Sequence, residues 1–100
     1  MAAPVYTRLP TGHRWTFDED GTGTEIHWPG GSAHVGTDKT GTMGGGALQL
    51  ERSPDGLAYV NAGPQISTVL AQDLRVPIPP GRLRPALSGS SAPDVTLFVV

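Results

Sequence analysis

The chain reads as an all-β, antiparallel β-sandwich of about eight short strands, jelly-roll or immunoglobulin-like, with no substantial helix. Two observations carry this. Apolar residues recur with a period of two in short runs, the mark of half-buried strands. Those runs are cut by Gly-, Pro- and Asp-rich turns, of which Ser53-Pro54-Asp55-Gly56 is the clearest. There Pro54 presets φ at the second turn position and Gly56 accepts positive φ. The flanking runs Ala47–Arg52 and Leu57–Asn61 are therefore expected to form a β-hairpin.

Residues 1–12, with Pro4 and Pro10, read as an extended N-terminal arm, either frayed or docked on a neighbour through Tyr6 and Arg8. Residues 13–100 read as a single sandwich domain. His13–Phe17 alternates, with Trp15 and Phe17 inward. After the turn at 18–23, Thr24–Trp28 puts Ile26 and Trp28 inward, and the two runs are expected to pair as a first hairpin. Ala33–Val35 is a short strand, and 36–46 a glycine-rich loop in which Gly44-Gly45-Gly46 suits a bulge or close backbone approach. Ile66–Leu70 reads as a buried strand. Leu74–Ile78 alternates, but Pro77 lacks a ladder donor and marks an edge. After the Pro79-Pro80-Gly81 turn, Arg82–Leu87 puts Leu83 and Leu87 inward. The last strand runs from Asp94 to Val100, and no segment holds a helical period.

The composition narrows the function. One hundred residues make one small domain, and with no cysteine there is no disulfide or thiolate-metal staple. Leu, Ile, Val and Phe number 22, just above the level of about one-fifth below which folding fails. A net charge of -2 argues against nucleic acid. The first residues form no secretion signal, and the apolar run 95–100 is too short to cross a membrane. Six of the seven basic residues are arginine, the cation favoured at protein contacts.

Chemistry-bearing patterns are sparse. Asp18, Asp20 and Thr22 alternate as in a calcium loop, but the twelfth position is Pro29 rather than a bidentate glutamate. His27 and His34 face outward while His13 shares a face with Trp15, so no shared metal is expected. Ser53, Ser67, Ser88, Ser90 and Ser91 sit on no strand–turn–helix elbow. No catalysis, cofactor or metal is expected. Arg75, Arg82 and Arg84 would form an outward basic ridge if their strands pair. Val95, Leu97 and Val99 fill one face of the last strand and leave Phe98 and Val100 on the other. Either that strand is central and covered on both faces, or Phe98 and Val100 meet another subunit. The expected partner-binding residues are thus Tyr6, Arg8, Arg75, Arg82, Arg84, Phe98 and Val100.

Met43-Gly44-Gly45-Gly46-x-x-x-Leu50-x-x-Ser53-Pro54-Asp55-Gly56, then Gly81-Arg82-Leu83-Arg84-Pro85-Ala86-Leu87-Ser88-Gly89 and the closing Val-x-Leu-x-Val strand, resembles small β-sandwich virion proteins of tailed bacteriophages over residues 13–100. The resemblance implies a non-enzymatic structural part, decorating or cementing the capsid. It implies the major capsid protein or other virion proteins as partners, and a homo-oligomer, of which a trimer is one form. It places the protein in the virion, assembled in bacterial host cytoplasm. A tail or head–tail accessory role is the near alternative. A carbohydrate-binding sandwich would instead need Trp15, Trp28 or Tyr59 exposed as stacking platforms, and a small hydrolase stands a distant third.

Overall fold

The computed structural model describes residues 4–38, 40–70 and 72–100. Among the described residues ten strands form: β1 Val5–Leu9, β2 Gly12–Phe17, β3 Gly21–Thr22, β4 Ile26–Trp28, β5 Gly31–Thr37, β6 Ala47–Ser53, β7 Val60–Asn61, β8 Leu74–Ile78, β9 Gly81–Ser88 and β10 Val95–Val99. The described residues contain no helix. The first sheet runs β1-β2-β10-β5-β8 and the second β3-β9-β6-β7, with β4 also on β9; every pairing is antiparallel.

β3 and β4 act as one strand with a bulge. Thr22 faces Ala86 and Ile26 faces Leu83, so four residues advance against three. Gly23 keeps the ladder with an N–H bond of 2.8 Å to the Pro85 carbonyl, while the Thr24 carbonyl accepts the Trp15 indole N–H at 3.0 Å. A Cβ on Gly23 would stand 2.7 Å from the Trp15 ring, so only glycine fits there. With β3–β4 counted once and β1 set aside, the remaining eight strands run 1-8-3-6 and 2-7-4-5 across the two sheets. That is the double Greek-key order of a jelly roll.

The core lies between the sheets. Trp15, Phe17, Val95, Leu97 and Val99 of the first sheet meet Leu48, Leu50, Leu83, Leu87 and Trp28 of the second. Alternation identified these inward residues correctly, and Pro77 does sit on the edge strand β8. The glycine run makes the expected close approach: Gly44 and Gly45 take φ of 61° and 80°, and the Gly44 carbonyl accepts the Ser91 N–H at 2.8 Å.

Four expectations are corrected. His13–Phe17 and Thr24–Trp28 do not form a hairpin: β2 pairs β1 and β10, whereas β4 pairs β9 in the opposite sheet. The intervening turn carries the chain across the sandwich, so Trp15 and Trp28 enter the core from opposite sides. Alternation reports a face, not a partner. Ile66–Leu70 is not a strand, since only Ile66 bridges to Leu48 and Ser67 and Thr68 are exposed. The strand expected at Leu57–Asn61 shrinks to Val60–Asn61, because the turn chemistry runs on through Ala58. Within the expected arm, Val5–Leu9 is an edge strand that folds back on β2 through the two-residue turn Pro10–Thr11.

Candidate interaction surfaces

The outer face of the second sheet carries a charged network centred on Arg84. On β9, Arg84 donates from Nε to the Glu51 carboxylate at 2.9 Å and lies 3.6 Å above the centre of the Tyr59 ring. The Tyr59 hydroxyl donates to the Glu25 carboxylate. That bond, then partial burial and the Glu25 charge, raise the Tyr59 pKa, while Arg84 and Arg82 oppose the shift. Glu25, Tyr59, Arg84 and Glu51 therefore clamp the β6–β7 loop across β9. The start of that loop is set by Ser53, fully buried, whose Oγ accepts the Gly56 N–H at 2.8 Å and donates to Asp55 at 2.9 Å. Asp55 in turn accepts the Leu57 N–H at 2.8 Å, and its pKa is lowered chiefly by that bond and the one from Ser53.

The first sheet is built differently. None of its five strands carries an aspartate or glutamate. Its outer face presents Val5 (61% exposed), Val100 (41% exposed) and half-buried Phe98, among Thr7, Thr16 and Thr96. Phe98 stands between Arg14 on β2 and Gly36 on β5, where the Asp73 carboxylate packs over the glycine. Val100 continues the ladder, exchanging bonds of 2.8 and 3.0 Å with His34. The strand carrying Phe98 is central, yet its outer residues stay partly open to solvent.

The expected contact residues are not one surface. Phe98 and Val100 share the first sheet's outer face. Arg75 is exposed on the edge strand β8 of that sheet, whereas Arg82 and Arg84 lie on β9 in the other. The three-arginine ridge is corrected, since β8 and β9 do not pair, and Arg84 is engaged by Glu51 and Tyr59. Tyr6 is not a free anchor. It lies on the inward side of β1, where its hydroxyl bonds His13 Nδ1 at 2.7 Å and its ring packs 5.4 Å from Trp15. Arg8, exposed, faces His13 in register; burial first and the Arg8 charge second hold the His13 pKa below its usual value.

Asp20 accepts the Ser90 N–H at 3.0 Å and its hydroxyl, tying the β2–β3 turn to the β9–β10 loop, and its pKa is lowered by these bonds. Among the described residues no three His, Asp or Glu side chains gather to hold a metal. Trp15 and Trp28 are buried at 0% and 8% exposure and donate to Thr24 and Ile78 carbonyls, so neither is a stacking platform for a sugar. The sequence reading missed Val5 and Leu9 as members of the outer face. Their alternation with Tyr6 and Arg8, closed by the turn to Gly12, was the available signal.

The two layers define the class as a jelly-roll β-sandwich. Comparison with protein-family models, curated proteins and solved structures finds no match for this chain.

Proposed function

We propose that the chain is a non-enzymatic structural protein of a tailed-phage particle, decorating or cementing the capsid through the outer face of its first sheet. One observation carries the reading: that face is apolar and hydroxyl-rich, and its sheet has arginines but no acidic residue in its strands. Val5, Phe98 and Val100 supply desolvation, and Arg14 and Arg75 favour an acidic surface on the major capsid protein or another virion protein. The opposite face pairs Arg84 with Glu51 and Tyr59 with Glu25 and leaves Arg82 exposed. Jelly rolls recur in viral shells, which supports the reading by analogy of fold alone. Attachment at many sites on a lattice would let a weak single contact hold. A tail or head–tail location would use the same face.

The test is co-sedimentation with purified particles of the tailed phage whose genome encodes the chain. Wild-type protein is expected to pellet with particles, V5D/V100D at least about tenfold less, and R82E as wild type. Wild-type protein left in the supernatant overturns the proposal.

A further inference from the structure

Sheet edges are usually blunted against pairing with another chain. Here β8 carries Pro77 within it, β3 and β7 are two residues long and β4 is three. The edge strand β1 has no such protection. It is five residues long, free of proline inside, and among the described residues nothing pairs with its outer edge. Because the two-residue turn closes on the Leu9–Gly12 pair, the backbone groups of Val5, Thr7 and Leu9 bond β2. Those of Tyr6 and Arg8 point to the open edge.

We propose that two copies of this chain join β1 to β1, antiparallel about a two-fold axis through Thr7, into one ten-stranded sheet. The prolines fix this register. The outward-pointing positions are 4, 6, 8 and 10, and Pro4 and Pro10 have no N–H to give. Pairing Tyr6 with Arg8 of the second copy gives every outward N–H and C=O of these residues a partner; centring on Tyr6 sets the Arg8 carbonyl against Pro4, and centring on Arg8 sets the Tyr6 carbonyl against Pro10, neither of which has an N–H to give. The same register places Arg8 beside the Tyr6 ring of the second copy, twice, a cation–π arrangement. It sets Val5 against Leu9 and Thr7 against Thr7, both favourable cross-strand pairs. An isologous contact closes at two copies, which distinguishes this arrangement from a trimer. The inference stands on β1 and does not rest on the particle reading.

The chain has no cysteine, so single cysteines report the register cleanly. On the axis, Thr7 and its mate form a non-hydrogen-bonded pair about 4.5 Å apart at Cα, within disulfide reach. Val5 and its mate would be roughly 14 Å apart. T7C is expected to cross-link into a disulfide dimer at least about tenfold faster than V5C, and wild-type protein to sediment at twice its chain mass. R8P, which removes an outward N–H and the guanidinium set over Tyr6 while leaving the bonds to β2 in place, is expected to raise the dimer Kd at least about tenfold, with tryptophan emission confirming that it folds. Equal cross-linking of T7C and V5C, or a monomeric or trimeric wild-type mass, overturns the inference.

Discussion

At the scale of single residues, polar groups here are used to pin loops. Ser53 is the clearest case: a fully buried hydroxyl joining Asp55, Gly56 and, through Asp55, Leu57. Ser53→Ala leaves the Asp55 and Gly56 N–H groups without their acceptor and is expected to lower unfolding free energy by about 1–3 kcal/mol, read by urea denaturation. His13 adds a pH dependence. Its folded pKa lies below the unfolded value of 6.5, so the unfolded chain binds the proton more readily. Stability is then full above pH 6.5 and falls as pH drops through the lowered folded pKa. The His13→Gln variant should flatten that slope, and a slope unchanged by it would remove His13 as the cause. Both tryptophans, being buried, should resist acrylamide quenching in the folded protein.

At the scale of elements, β10 is the centre of the first sheet, hydrogen-bonded to β2 and β5, with Leu97 fully buried. Leu97→Ala should cost about 2–5 kcal/mol, more than truncation of any residue in the two-residue strand β7. Much of this level was legible in the sequence. Period-two alternation placed Trp15, Phe17, Leu48, Leu50, Val76 and Leu83 inward, and Pro77 marked an edge. Strand partners were not legible, because adjacency in sequence suggested the hairpin of residues 13–28. In fact the bulge at Gly23, the crossing at residues 18–20 and the seat of Trp15 on Thr24 are long-range packing facts with no local signature. The arm was misread for a related reason: Pro4 and Pro10 look like strand breakers, yet they flank a strand and close its turn. The arginine ridge failed because outward phase on two strands says nothing about which sheet each joins.

At the scale of the whole molecule, the two outer faces differ in kind. The second sheet's Glu25–Tyr59–Arg84–Glu51 network consumes its own charges. The first sheet leaves Val5, Phe98 and Val100 open beside Arg14 and Arg75, with Asp73 packed over Gly36. If β1 pairs across a two-fold axis, this face doubles in width, and each attachment to a particle becomes bivalent. The distribution of exposed apolar surface, more than any single side chain, is what a contact protein of this size can contribute. Electron cryo-microscopy of particles carrying the chain examines this most directly. The account expects density packed against Val5, Phe98 and Val100, with the Arg84–Tyr59 face turned to solvent. Particles on which the chain is absent, or sits with the first sheet's outer face bare, would contradict it.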